Sequence, residues 1–376
     1  FPPLCLKSKN GDNRLIEGLL MKILVAMSGG VDSSVAAKIL KEEGNECIGC
    51  TMKLYANEDA GIPRAHTCCS LDDVFDARSV AYSLGMPYYV FNFKDDFKEK
   101  VIDKFVKSYL AGATPNPCID CNRFMKFDKL FERMEVLGCD HVATGHYARV
   151  EKDKKGKFLL KKAVDDTKDQ SYVLYSLTQF QLERTLFPLG SLTKNKVREI
   201  AGDGGLVNAE KPDSQDICFV PDGDIGKIIR LHSGLNVGEG KFVDKSGNVL
   251  GAHDGYFRYT IGQRKGLGVA AGKRIFVTKI IPEKNLVVLG DEDELFSREA
   301  FVADVNRIAG GDFEKEFFCE VATRYRGKVE KAKVVPQESG KLKIIFDKPV
   351  RAVTAGQAAV LYDGETVLGG GTIVSG

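Results

Sequence analysis

No run of apolar residues in this chain approaches the roughly 18 that a membrane-crossing helix needs, so no membrane partner is expected. Neither sign of charge dominates. Lys and Arg number 54 against 52 Asp and Glu, and the resulting +2 is too small to argue nucleic-acid binding by itself. Cysteine is sparse for the length: ten in 376 residues, without a framework spacing, exclude a disulfide-stapled secreted scaffold and point to a reducing compartment, the cytoplasm. The start lacks the basic end and apolar run of a signal peptide, and residues 1–20, with Pro2 and Pro3, are expected to be an N-terminal extension ahead of Met21.

What is present is an ordinary globular composition, 43% apolar and 28% charged, in a chain too long for one core. From Met21 onward short apolar runs alternate with helix-period segments. The pattern predicts strands at Lys22–Met27, Cys47–Met52, Tyr88–Phe93 and His141–Thr144, with helices at Ser33–Glu43, Asp72–Leu84, Phe97–Leu110 and Asn122–Leu137. This is the rhythm of a Rossmann-like, doubly wound α/β fold with a parallel sheet and a ligand crevice at the carboxyl ends of its strands. After about Val220 glycine becomes frequent and the apolar runs shorten, which predicts β-rich structure. The expected division is a catalytic domain at 21–220, a central domain at 221–292 and a C-terminal β-barrel at 293–376. The Lys-rich stretch Glu151–Lys162 reads as a hairpin tip. From Gly255 to Pro282 there is no acid, while Arg258, Arg264, Lys265, Lys273, Arg274 and Lys279 supply six cations.

Two motif groups carry chemistry. Met27-Ser28-Gly29-Gly30-Val31-Asp32-Ser33-Ser34 lies where a strand gives way to a helix, the place where unpaired amides and the helix dipole favour an anion. Its glycines permit close backbone approach, its serines offer hydroxyls and Asp32 is a candidate magnesium ligand; no Lys follows, so it is not the P-loop of kinases and GTPases. Cys118 and Cys121 follow two prolines in Pro115-Asn116-Pro117-Cys118-Ile119-Asp120-Cys121, with Cys121 expected near a helix start, where a thiol gains thiolate character. Cys218 ends Asp213-Ser214-Gln215-Asp216-Ile217-Cys218. By spacing alone the Cys118/Cys121 pair reads first as half of a structural zinc site or as two loop cysteines. Cys47 and Cys50 should face opposite sides of their strand, Cys139 and Cys319 read as small buried hydrophobes, and Cys68 and Cys69 carry no assignment.

With these residues in view, the chain from Lys22 to Val374 resembles the tRNA-specific 2-thiouridylases, a family of ATP pyrophosphatases. The resemblance also rests on Ala143-Thr144-Gly145-His146-Tyr147-Ala148-Arg149, Lys168-Asp169-Gln170-Ser171-Tyr172 and Tyr259-Thr260-Ile261-Gly262-Gln263-Arg264-Lys265-Gly266-Leu267-Gly268. It implies that Ala26, Met27, Ser28, Gly29, Gly30, Val31, Asp32 and Ser33 hold ATP phosphates with Mg2+, and that Met52 and Gly145 touch the nucleotide. It implies that Cys218 carries a persulfide and that Cys121 releases the sulfur by forming a disulfide with it. Asn116, Pro117 and Cys118 would lie against the target base, with Lys168, Asp169, Gln170, His146, Arg324, Tyr325 and Gln357 on the tRNA. The implied partners are lysine, glutamate and glutamine tRNAs and a cysteine desulfurase or sulfur relay protein. One position departs from the family pattern: Cys118 stands where an Asp is expected. A third thiol beside the other two raises an alternative, a 4Fe-4S cluster held by Cys118, Cys121 and Cys218. A different ATP pyrophosphatase acting on a small molecule would show no thiol dependence, and a tRNA-binding protein with a zinc site would release no pyrophosphate.

Overall fold

The computed structural model describes residues 20–56, 59–61, 71–213, 217–235, 237–270, 272–309 and 313–375. The stretch through residue 19, Cys68, Cys69, Ser214 and Gln215 lie outside these. Strand β1 (Lys22–Ala26) carries Ile23, Leu24 and Val25, none of them exposed, as expected of a strand covered on both faces. It pairs in parallel with β2 (Glu46–Lys53) on one side and β4 (His141–Ala143) on the other. β3 (Tyr88–Asn92) and Thr185–Leu186 complete a five-stranded sheet, with β3 and Thr185–Leu186 at its edges. The chain winds outward from β1 through β2 to β3 and then crosses back to β4, so the direction of winding reverses between β1 and β4. A crevice opens at such a reversal because the connections leave toward opposite faces.

Helix α1 (Val31–Glu42) follows β1, and α2 (Leu71–Ser83) precedes β3. Cys47 packs in the core on one face of the sheet and Cys50 in the core on the other, as the two-residue strand period requires. Beyond the sheet, Gly240–Val243, Val249–His253, Phe276–Ile281 and Leu286–Gly290 form a four-stranded central sheet. The C-terminal strands form a closed six-stranded barrel, sealed where Phe296–Asn306 pairs with Thr366–Val374.

Two of the connections between the catalytic domain and the rest bear on the site. The predicted Lys-rich hairpin forms from Arg149–Lys152 and Phe158–Lys161, but it also extends the barrel sheet, with Lys161 opposite Thr366. Arg149 clamps this junction through Glu365 at 2.9 Å. The second connection is Thr114, whose N–H donates to Ala355 O (2.8 Å) in the barrel and whose carbonyl accepts from Gln357 Nε2 (2.7 Å). Its hydroxyl lies 3.2 Å from that of Thr260 in the central domain, so one residue ahead of the cysteine helix touches both other domains.

Candidate active site

At the end of β1 the chain turns through Gly29, at φ +79°, where a Cβ would stand 2.3 Å from the Asp73 carbonyl oxygen of α2. No other residue fits there without displacing backbone. Gly30 caps α1 in extended conformation with no side-chain cap hydrogen bond, so the amides of the first turn have no side chain folded over them. The hydroxyls of Ser33 and Ser34 donate to Gly30 O at 3.1 and 3.0 Å, and Ser28 N–H donates to Ser33 Oγ at 3.1 Å, closing the loop around the helix end. Met27 and Val31 are buried, so only their backbone can face a ligand, and Ala26 is half-buried against the core. Across the reversal, Gly145 follows β4, and a Cβ there would lie 2.7 Å from Ser33 N. The crevice thus has two glycine-lined walls, a geometry suited to phosphate at a helix N-terminus.

Around this loop stands a charge network that sequence reasoning missed in part. Asp32, expected as a magnesium ligand, accepts from Tyr147 OH (2.7 Å) and pairs with Lys194 at 2.7 Å. Lys194 begins helix Lys194–Asp203, capped by Thr193, and also pairs with Asp213 at 2.7 Å. Asp213 is further held by Lys168 (2.7 Å) and Arg198 (3.0 Å). Burial pulls the Asp213 carboxyl upward, but the bonds from Lys168 and Lys194 outweigh it and hold it at about 2. Gln170 exchanges two bonds with the Tyr147 backbone, each 2.9 Å. Asn208 and Lys211 both donate to the Gly29 carbonyl, at 2.9 and 3.3 Å. The Thr193 cap marks a helix start in the sequence, but no local spacing says that this helix packs on α1.

Cys121 and Cys218 pack against one apolar cluster beyond the carboxyl ends of β2 and β3, formed in part by Tyr55, Phe97, Phe105 and Phe219. Phe219 anchors the Cys218 segment by edge-on contacts with Phe97 (5.7 Å) and Phe105 (5.1 Å), and Tyr55 OH donates to Cys218 O at 2.5 Å. Met52, at the end of β2, packs against this cluster and against the core beneath the sheet, so the thiol region and the strand ends adjoin. Asn116 caps the next helix by accepting from Cys118 N–H (3.1 Å) with Pro117 in the first position. The helix therefore begins at Pro117, and Cys118, not Cys121 as expected, occupies its first turn. Cys121 opens a π-helical segment, Cys121–Lys129. Cys118 is exposed, Cys121 and Cys218 half-buried, and Cys118 lies close enough to Tyr325 to influence its phenol. Among the described residues no group of three or more His, Cys, Asp or Glu side chains is arranged to hold a metal. Asp120 is buried and paired with Lys104 at 2.7 Å, and burial raises its carboxyl pKa.

The residues expected on RNA divide. Arg324 and Tyr325, with Asp169 and Tyr172, line a cavity between the catalytic domain and the barrel. Lys168 and Gln357 are engaged within the protein, with Asp213 and Thr114. Asp169 accepts from Ala163 N–H and Ser171 Oγ–H, at 2.9 and 2.7 Å. His146 is buried, its Nδ1 2.7 Å from Thr144 Oγ1, and burial with the nearby Lys126 pushes its pKa well down. It offers a neutral ring, not a cation for phosphate. Cys319, expected to be buried, is half-buried against the barrel core.

Three family models cover the chain: "tRNA methyl transferase HUP domain" over 21–222, "tRNA methyl transferase PRC-barrel domain" over 230–291 and "Aminomethyltransferase beta-barrel domain" over 297–373. Among curated relatives, the "tRNA-specific 2-thiouridylase MnmA" of Clostridioides difficile (strain 630) is 50% identical over 353 residues, covering 94% of this chain and 98% of that one. The Clostridium botulinum (strain Alaska E43 / Type E3) protein of that name is 50% identical over 352 residues, 94% and 97% of the two chains. A Thermoanaerobacter sp. (strain X514) relative, "tRNA-specific 2-thiouridylase MnmA 1", is 51% identical over 354 residues, again 94% and 97%.

Proposed function

Because the chain belongs to the tRNA-specific 2-thiouridylase family, we propose that it uses ATP to adenylate the C2 oxygen of a wobble uridine and replaces that oxygen with sulfur carried on Cys218. The observation that supports this most is that an uncapped glycine turn and two half-buried thiols, both packed on one apolar cluster, lie toward the same end of one sheet. The uridine C2 oxygen is a poor leaving group. Its attack on the α-phosphorus of ATP expels pyrophosphate and converts it to AMP, which a sulfur nucleophile displaces. The terminal sulfur of a Cys218 persulfide bonds to C2 as AMP leaves. Cys121 thiolate then attacks the Cys218 sulfur, breaking the S–S bond, freeing 2-thiouridine and leaving a Cys121–Cys218 disulfide for an external dithiol to reduce.

This chain's residues have distinct parts in that scheme. The amides and hydroxyls of Ser28 to Ser33 bind the phosphates, and Gly145 lets the nucleotide lie close to α1. Asp32 would be the protein ligand nearest magnesium carried on the triphosphate, an ion that keeps waters and needs few protein ligands. The base must leave its stack to reach the crevice, which suits an anticodon loop, and Arg324, Tyr325 and the basic 258–279 stretch meet the RNA. Two of the matched models speak of methyl transfer and the relatives of thiolation. A phosphate loop and a thiol pair favour sulfur, because methyl transfer requires neither adenylation nor a second thiol.

A second reading rests on Cys118, the third thiol one helical turn from Cys121: a 4Fe-4S cluster would hold the sulfide in place of a persulfide. Among the described residues no group of three such side chains is arranged to hold it. Iron and acid-labile sulfide in anaerobically purified protein would favour the cluster; full activity without iron would end it. The direct test of function is mass spectrometry of lysine, glutamate and glutamine tRNA nucleosides after incubation with ATP, Mg2+ and a cysteine desulfurase with cysteine. Expected is 2-thiouridine with the wild type, and none with Cys218→Ser while tRNA-dependent pyrophosphate release continues. Retained product in Cys218→Ser would overturn the thiol route.

A further inference from the structure

Lys194 is shared between carboxylates from two parts of the proposed reaction. Its ammonium lies 2.7 Å from Asp32, in the first turn of α1, and 2.7 Å from Asp213, five positions ahead of Cys218 in the chain. Five residues span at most about 18 Å, so the position of Asp213 limits where Cys218 can go. The same segment is pinned to the phosphate loop again, where Asn208 and Lys211 donate to Gly29 O at 2.9 and 3.3 Å. The Lys194 side chain is only 9% exposed, so its partners, more than water, satisfy its charge.

A triphosphate at the N-terminus of α1 brings several negative oxygens beside Asp32, and these compete with Asp213 for the ammonium. Filling the loop therefore draws on one of the three cations, Lys194 beside Lys168 and Arg198, that hold Asp213. We propose that Lys194 is a positioning residue that couples nucleotide occupancy to the reactivity of Cys218 through an Asp32–Lys194–Asp213 bridge. The proposal rests on the sulfur-transfer reading for its purpose: it would keep the sulfur from being offered before ATP is in place.

The test is the rate at which iodoacetamide alkylates Cys218 in the full-length protein, resolved by mass spectrometry from the other cysteines, with and without a non-hydrolysable ATP analogue and Mg2+. In the wild type the nucleotide should change that rate about tenfold, a size typical of coupling between two sites. In Asp213→Asn and Lys194→Met the ratio should fall to about one, and Lys194→Arg, which can still bridge two carboxylates, should restore much of it. Asp213→Asn should also retain tRNA-dependent pyrophosphate release while thiolating about tenfold more slowly, by the same coupling. A wild type that does not respond to nucleotide, or an Asp213→Asn protein that responds as the wild type does, overturns the bridge. If Lys194→Met fails to melt cooperatively, Asp213→Asn decides alone. If the wild type makes no 2-thiouridine, the sulfur-transfer reading has failed, and the alkylation ratios still judge the coupling.

Discussion

Gly145 shows how one missing methyl can shape a site. A Cβ would sit 2.7 Å from Ser33 N and 2.8 Å from the Asp32 carbonyl carbon, so Gly145→Ala must push the phosphate loop from β4. A misplacement of this order near the reacting phosphate is expected to lower pyrophosphate release on the order of 100-fold, with a smaller effect on the melting temperature. His146 makes a prediction about pH. Its folded pKa lies below its ordinary value of 6.5 because burial and Lys126 disfavour the cation. The unfolded chain thus binds a proton that the folded chain refuses, and stability should decline as pH falls below about 6.5. His146→Gln should flatten that part of the melting profile. Legibility at this scale followed locality. The Ser28–Ser34 loop, Gly145 and the cysteines announce themselves by neighbours in sequence, whereas Lys194 and Asn208 act at Asp32 and Gly29 only because a helix more than 150 positions later packs on α1.

The elements were legible where a period was sustained. β1 to β4 and α1 lie within a residue or two of their predicted bounds, since apolar alternation and glycine stops state them directly. The π-helical stretch from Cys121 to Lys129 was not legible, because α- and π-turns share one apolar face over so short a span. It shifted the expected helix start from Cys121 to Pro117, where the Asn116 cap fixes it. The loop ahead of that helix depends on Gly356, at φ +90°, where a Cβ would meet the Thr114 backbone at 2.9 Å. Gly356→Ala is therefore expected to cost about 1–3 kcal/mol in urea unfolding and to slow thiolation, because the cysteine helix loses its hold on the barrel.

For the molecule as a whole, a net charge of +2 hides an uneven distribution. Arg258 and Lys273 of the basic stretch pair with Asp224 and Asp291, while Arg264, Lys265 and Arg274 stand exposed, Arg264 and Arg274 lining a shallow cavity. If this face meets tRNA phosphates, affinity should fall steeply between 50 and 200 mM salt, and each Ala substitution at Arg264, Lys265 or Arg274 should reduce the log–log slope by roughly one. Fluorescence anisotropy across a salt series checks this, and unchanged slopes in all three would remove the face from the RNA path.

The hairpin at 149–161 gives the chain an architecture that its linear order conceals. Cutting ahead of Phe296 would part Lys161 from Thr366 and break the Arg149–Glu365 ion pair, leaving the hairpin on one fragment with an uncovered edge and the closed barrel on the other. Separately produced halves should be inert alone and regain activity when mixed, because the hairpin edge and the barrel strand it joins then meet again.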